Sequence, residues 1–159
     1  MEMKRRAFVA LPTVALAAPK YKTLTEAEAT IVIALIEAII PADKDPGAKE
    51  AGVVHFIDTQ LAGPHKRHLK RYRSELPKLD AACRAATGKS LATLKLSDRT
   101  SFLERVDKGE IPGSAFFQLV IDHTMQGFYG APKHGGNRNA ASWRMMGIEK
   151  TMGYHGGHA

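Results

Sequence analysis

The chain has 159 residues, which is the size of one domain with a single hydrophobic core. Its one cysteine, Cys83, excludes an internal disulfide, a Cys-x-x-Cys-His haem attachment and any multi-cysteine zinc or iron–sulfur site. It carries 23 Lys and Arg against 16 Asp and Glu, a net charge of +7. This excess favours an acidic partner, an anionic membrane surface or nucleic acid, and charge alone does not choose among them.

Residues 1–18 have the composition of an export signal. A basic start that includes Lys4 leads into small apolar residues, and these end in an A-x-A cleavage sequence at 15–17. The apolar stretch is shorter than the roughly 20 residues that a membrane span needs, and Pro12 interrupts it. A permanent transmembrane helix is therefore not expected here.

Arg5, Arg6 and Phe8 resemble the twin-arginine signal of bacterial proteins that are exported already folded. Lys4 stands where that signal usually has Ser or Thr. We expect residues 1–18 to be a twin-arginine-like export signal and the protein to be periplasmic. Ordinary secretion and a retained N-terminal arm are the alternatives.

The first predicted helix begins at Thr25, which forms a capping box with Glu28. Apolar residues follow at helical spacing until Pro41 ends the helix by removing a backbone donor. After a polar loop, residues 48–62 predict a second helix whose broad apolar face ends before Gly63.

The third predicted helix is amphipathic with a basic outer face. Apolar residues recur every three or four positions from Leu69 to Ala86, with cations between the first of them. Pro77 conflicts with this pattern, since proline inside a helix removes a hydrogen bond and clashes with the preceding turn. We expect a kink or a break near residues 74–76; two short helices are the alternative.

Two more helices follow, each with a serine as its candidate N-cap. Ser97 precedes a fourth helix that ends near Gly109, and Ser114 precedes a fifth. The fifth is apolar almost all round, which predicts the central helix of the domain. A short helix over residues 140–146 carries Trp143.

No segment alternates apolar and polar residues as a half-buried strand does, so the fold class is all-α. We predict a single compact helical domain of about five to six helices over residues 25–150, with a Gly- and aromatic-rich C-terminal loop. Residues 151–159 are predicted to be a flexible tail.

The residues show no spacing typical of a cofactor, nucleotide or nucleophile site. No Gly-x-Gly-x-x-Gly follows a strand, and the phosphate-binding loop and the nucleophile elbow are missing from the sequence. Cys83 lies on an apolar stripe and is interpreted as an inert core thiol. We therefore expect this chain to hold no cofactor and no metal and to have no catalytic residue of its own.

The seven histidines allow more than one interpretation. His65 and His68 lie in a cationic segment without an acidic ligand, which favours solvated or structural roles over a metal site. His123 follows Asp122 on the apolar fifth helix. A hydrogen-bonded structural histidine is the favoured interpretation, and an acid/base pair with Asp122 is the alternative.

A cluster of cations between residues 66 and 73 is also open to several interpretations. A solvated helix face is favoured, and a docking surface for an acidic protein or a free-standing anion-binding module are the alternatives. Nucleic acid is disfavoured because Tyr72 is the aromatic residue of the cluster and the helical spacing turns it towards the core. The cations are Lys66, Arg67, Lys70, Arg71 and Arg73.

The glycine-rich loop after residue 127 is the candidate partner interface. Glycines allow close backbone approach, and aromatic side chains such as those at 128, 129 and 143 are the types that anchor interfaces. The alternative is a loop folded on its own core, with Trp143 filling a gap. The candidate interface residues are Phe128, Tyr129, Pro132, Lys133, Gly135, Gly136, Asn137, Trp143 and Arg144.

This loop resembles the signature of the gluconate 2-dehydrogenase subunit 3 family. The resemblance is carried by GFYGAPKHGGN at 127–137 and WRMMG at 143–147. It extends to IIPAD, PGAKEAGV and FID in the N-terminal half and to RRAF in the leader. The chain departs from the family pattern at residues 147–150, where Gly-Ile-Glu-Lys replaces the common Gly-Tyr-Pro-Gly.

The resemblance implies a non-catalytic small subunit of a bacterial, membrane-associated sugar or sugar-acid dehydrogenase. In such complexes a large flavoprotein of the glucose-methanol-choline type holds FAD and oxidises an alcohol, and a c-type cytochrome with haem c passes the electrons on. The small subunit is expected to mature, stabilise and escort the large one through twin-arginine export. Gluconate, glucose, another aldose and a glycoside all stay open as substrates.

Overall fold

The computed structural model describes residues 20–155 and contains no strand in that range. Its single domain is helical, as predicted. The predicted export signal with Arg5, Arg6 and Phe8, and the last four residues of the predicted tail, lie outside the described residues. The α-helices are α1 (Glu26–Ile39), α2 (Val53–Ala62), α3 (Leu69–Thr87), α4 (Leu96–Asp107), α5 (Ser114–Tyr129) and α6 (Ala141–Met145).

Helix α5 is the centre of the domain and contacts each of the other five α-helices. Its side chains at Phe116, Val120 and Phe128 are almost fully buried. The prediction of a central fifth helix is therefore confirmed. Between residues 20 and 155, no helix is both long enough and apolar enough to cross a membrane.

Helix α1 begins at the predicted capping box. The Thr25 hydroxyl accepts a hydrogen bond from the Glu28 backbone N–H at 3.2 Å, and the Glu28 carboxylate accepts one from the Thr25 N–H at 2.8 Å. The helix ends at Ile39, two residues before Pro41. Here local sequence is enough to fix both ends of the element.

Helix α2 is shorter than predicted. It begins at Val53 rather than at residue 48, because Gly52 takes a left-handed conformation with φ of 72° and ends the preceding turn. The predicted serine caps are also wrong. Ser97 lies inside α4, whose N-cap is Lys95, and Ser114 is the first residue of α5 and donates to the Asp107 carbonyl at 3.2 Å.

Helix α3 is a continuous α-helix through Pro77, so the predicted break and the alternative of two short helices are wrong. Pro77 is exposed, whereas Leu76 and Leu79 on either side of it are buried in the core. Proline inside a helix costs about 3 kcal/mol. Burial of the Leu76 and Leu79 side chains contributes favourable free energy that offsets this cost.

The segment that leads into α1 is fixed by Asp58 of α2. The Asp58 carboxylate accepts hydrogen bonds from the backbone N–H groups of Lys22, Thr23 and Leu24 at 2.6, 2.8 and 2.9 Å. Burial alone would raise the pKa of Asp58, but these hydrogen bonds outweigh it and hold the pKa below its usual value. Residues 22–24 are therefore held against α2 by the Asp58 side chain.

Candidate partner-binding site

The last turn of α5 lies unusually close to α2. A Cβ atom on Gly127 would lie 2.7 Å from the Phe56 ring and 2.9 Å from a methyl group of Val53, too close for any side chain. Gly136 then returns over this turn, where a Cβ atom would collide with the Gly127 carbonyl oxygen. Gly127 therefore lets α5 approach α2 closely, and Gly136 lets the following loop pack directly on the end of α5.

Asn137 ties the loop together from the inside. It is fully buried, and its φ of 45° is in the left-handed region that asparagine tolerates better than most residues. Its side-chain amide donates to the Gly130 carbonyl at 2.8 Å, and its side-chain oxygen accepts from the Ser142 N–H at 2.9 Å. One side chain thus joins the end of α5 to the start of α6.

Helix α6 is held against the end of α5 by Trp143. The Trp143 side chain is 5% exposed, and its indole N–H donates to the Tyr129 carbonyl at 2.9 Å. Phe128 is also buried, and its ring meets the Tyr129 ring edge-on at 5.0 Å. Among the candidate interface residues, Phe128, Gly136, Asn137 and Trp143 therefore lie inside this domain and shape the loop.

The other candidate interface residues lie at the surface. Tyr129 is 42% exposed, Lys133, Gly135 and Arg144 are exposed, and Pro132 is half-buried. Five of the six exposed large hydrophobic side chains in the described chain belong to this end of the sequence. We call them the C-terminal apolar surface: Met125, Tyr129, Met145, Met146 and Met152.

Sequence reasoning missed the methionines of this surface. A signal was available, because three of the six methionines fall within residues 145–152, in an otherwise polar and glycine-containing stretch. Methionine is flexible and polarisable and suits surfaces that adapt to a partner. Met145, Met146 and Met152 are all exposed, which distinguishes them from methionines that fill a core.

Helix α6 contributes to two shallow grooves beside this surface. One, of about 390 Å³, is lined by Pro132, Lys133, Trp143 and Met152, among others. The other, of about 400 Å³, is lined by Arg138, Arg144 and Met145 together with the acidic residues Asp45 and Glu50. The α6 region thus combines exposed apolar side chains with two grooves, one of which is lined by side chains of both charges.

The histidine cluster is a second site that the sequence did not reveal. His123 is 3% exposed, its Nδ1 lies 3.0 Å from the Tyr72 hydroxyl, and its ring stacks on that of His65 at 4.5 Å. Burial, followed by the positive potential of His65, His68 and Arg67, lowers the pKa of His123 to about 4. His123 is therefore neutral at pH 7.

The geometry of His123 agrees with a structural role. Asp122 is exposed, and no hydrogen bond joins it to His123 in the described part of the chain. Within residues 20–155 no three His, Cys, Asp or Glu side chains are placed to hold a metal ion. Cys83 is buried in α3, and burial raises the pKa of its thiol.

Comparison with protein families matches residues 26–149 to the family described as gluconate 2-dehydrogenase subunit 3. The matched range contains all six α-helices, the loop after α5 and most of the C-terminal apolar surface. Comparisons with curated proteins and with solved structures found no match.

Proposed function

Because the chain belongs to the gluconate 2-dehydrogenase subunit 3 family, we propose that it is a non-catalytic small subunit that binds, matures and escorts the catalytic subunit of a sugar or sugar-acid dehydrogenase. The family makes the chain a subunit of a dehydrogenase complex. In this proposal FAD and the substrate pocket belong to a large flavoprotein of the glucose-methanol-choline type. A c-type cytochrome with haem c accepts the electrons in the periplasm.

The observation that supports partner binding is the C-terminal apolar surface. Its five side chains are all exposed and fall between residues 125 and 152, and exposed large apolar side chains are a feature of interaction sites. In the proposed interface, Tyr129 and the methionines at 145, 146 and 152 contact the catalytic subunit, with Pro132, Lys133 and Arg144 at the edge. Phe128, Asn137 and Trp143 act from inside the domain by holding α6 in position.

Maturation follows from thermodynamic linkage. A subunit that binds only the folded, FAD-loaded catalytic subunit stabilises that state, by about 2.7 kcal/mol when its concentration is 100 times the dissociation constant. An export signal on the small subunit then carries only assembled, folded complexes. This coupling uses Arg5 and Arg6, which lie in the predicted signal.

The first experiment is affinity purification of the tagged chain from its native host, with an absorption spectrum of the eluate. We expect a larger protein with flavin bands near about 370 and 450 nm. Double substitution Met145→Ser and Met146→Ser should remove that partner. Leu96→Ser is the matched control, since Leu96 is similarly exposed, at 39%, but lies at the start of α4.

Two outcomes would contradict the proposal. A wild-type chain that elutes alone and colourless would favour a free-standing module. Retention of the flavoprotein by the Met145/Met146 variant, to the same extent as by the Leu96 variant, would place the interface elsewhere.

Export coupling is tested separately by replacing Arg5 and Arg6 with lysine. The twin-arginine route requires the arginine pair, so we expect both subunits to stay in the cytoplasm of the variant strain. Cell fractionation followed by detection of both proteins measures this. Normal export of the catalytic subunit in the variant strain would refute the coupling.

A further inference from the structure

The chain between Asp58 and Glu75 contains no acidic residue. It forms a short 3-10 helix, Lys66–His68, and the first turns of α3. Its five Lys and Arg side chains are all exposed. We call this surface the basic face: Lys66, Arg67, Lys70, Arg71 and Arg73.

These side chains form no ion pair within the described part of the chain. Further along α3, Lys78 pairs with Glu75 at 2.9 Å and Arg84 pairs with Asp80 at 2.9 Å. None of the five basic-face side chains forms an ion pair with a carboxylate of residues 20–155. Helix α3 therefore has ion-paired cations in its later turns and cations without an ion pair at its start.

Helix stability does not explain the cations at this position. The first turn of α3 has no acidic residue and no capping side chain. Positive side chains at the start of a helix oppose the helix dipole, which favours negative charge there. The neighbouring His68 is affected by these cations. Burial lowers the pKa of His68 most, and the positive charges of Arg67, His65 and Arg71 lower it further.

We propose that the basic face binds a carboxylate-rich segment of the dehydrogenase catalytic subunit. This inference rests on the proposed function and adds a second contact to it. Lysine and arginine side chains bind carboxylates by charge-assisted hydrogen bonds, and complementary charge speeds association and selects the partner. The basic face also adjoins α5, because His65 hydrogen-bonds the Gln126 side chain at 3.0 Å.

A protein segment fits this surface better than lipid or nucleic acid. No large hydrophobic side chain between residues 59 and 78 is exposed, so the face offers nothing to insert into a bilayer. Tyr72, the aromatic residue of the segment, is fully buried and offers no ring for stacking on bases. Because no large apolar or aromatic side chain of this segment is exposed beside the cations, the segment matches a hydrophilic acidic surface.

The test compares two variants with the same net charge. The basic-face variant and the control variant each lose four exposed cations, and neither set of four is ion-paired in the structure. Circular dichroism checks that both are folded. The basic-face variant carries Lys66→Gln, Arg67→Gln, Lys70→Gln and Arg71→Gln, and the control carries Lys44→Gln, Lys89→Gln, Lys95→Gln and Lys108→Gln.

Affinity for the catalytic subunit purified from the native host is measured at about 50 and 300 mM salt, a range over which screening changes strongly. We expect the basic-face variant to bind at least about 10-fold more weakly than the control at low salt, and with less salt dependence. Equal affinity of the two variants would overturn the inference about the basic face and leave the proposed function unaffected. Failure of the wild-type chain to bind the catalytic subunit would instead overturn the proposed function.

Anionic phospholipid vesicles distinguish the membrane alternative. Both variants have lost four cations, so we expect them to bind the vesicles equally and each more weakly than the wild-type chain. Weaker vesicle binding by the basic-face variant than by the control, together with equal affinity of the two variants for the catalytic subunit, would assign the face to a membrane surface and overturn the inference.

Discussion

Two regions that both pack on α5 bury polar side chains in different ways. In the C-terminal cap, residues 127–146, Asn137 and Trp143 donate their side-chain N–H groups to backbone carbonyls. In the histidine cluster, buried His123 meets a tyrosine hydroxyl and two other histidines beside Arg67. The cap therefore depends on steric fit and neutral hydrogen bonds, whereas the cluster depends on staying uncharged. We therefore expect the stability of the cap to depend on added side-chain volume, and the stability of the histidine cluster to depend on pH.

The largest expected effect is steric and belongs to the C-terminal cap. In Gly136→Ala the added methyl group would overlap the Gly127 carbonyl, so backbone must move in a closely packed region. We expect the free energy of unfolding to fall by about 4 kcal/mol or more. Urea unfolding followed by circular dichroism measures it.

Gly88→Ala is the control for that substitution. Gly88 has φ of 74° and no atom within 4 Å of its missing Cβ, so only the left-handed strain of alanine applies, about 1 kcal/mol. Gly136 is not among the glycines with positive φ, so this strain does not apply to it. Equal losses in the two variants would therefore show that the close contact at Gly136 relaxes at little cost.

The next effect belongs to the histidine cluster and depends on pH. In the unfolded chain His123 takes up a proton near its ordinary pKa of 6.5, whereas in the folded protein burial and nearby positive charge lower the pKa to about 4. The unfolded state thus binds more protons between these values, and stability is lost as pH falls from about 6.5 to 4. Each unit of difference is worth about 1.4 kcal/mol, so the loss reaches about 3 kcal/mol.

His123→Gln isolates this contribution, because glutamine does not titrate. We expect its free energy of unfolding to change less than that of the wild type between pH 7 and about 4.5, whereas Gly136→Ala should keep the wild-type pH dependence. Parallel pH profiles for the wild type and His123→Gln would mean that the buried ring is not the source of acid sensitivity.

A smaller effect separates two asparagines of the cap that share a left-handed backbone. Asn137 is fully buried and makes two side-chain hydrogen bonds to the backbone, whereas Asn139, with φ of 57°, is exposed. Asn137→Ala should lower the free energy of unfolding by about 2 kcal/mol more than Asn139→Ala does, because it leaves the Gly130 carbonyl and the Ser142 N–H unpaired. Similar losses in thermal unfolding would indicate that backbone strain dominates at both positions.

How far the sequence predicts the fold depends on how local each signal is. The capping box at Thr25 and the apolar periodicity of α5 are local, and both predictions are confirmed. The break expected at Pro77 is wrong because Leu76 and Leu79 pack in a core that the local sequence does not show. The serine caps fail for a related reason, since turns set by neighbouring residues place the helix starts elsewhere.

The candidate site shows the same limit at the level of single residues. Phe128 and Tyr129 are adjacent aromatic residues, and sequence alone assigns both to the interface. The structure buries Phe128 and leaves Tyr129 42% exposed, because Phe128 belongs to the hydrophobic core of the domain and Tyr129 does not. The histidine cluster needs contacts between positions up to 58 residues apart, such as His65 and His123, which no periodicity reveals.

The smallest expected effect has the opposite sign and concerns Ser142 at the start of α6. Its side chain is fully buried, and its hydroxyl has no hydrogen-bond partner among the described residues, in contrast to Asn137 beside it. Ser142→Ala removes a desolvated polar group without opening a large cavity, so we expect the free energy of unfolding to rise by about 1 kcal/mol. A fall of that size would mean that the hydroxyl is hydrogen-bonded in solution. The cap would then hold α6 through one more polar contact than Asn137 and Trp143 supply.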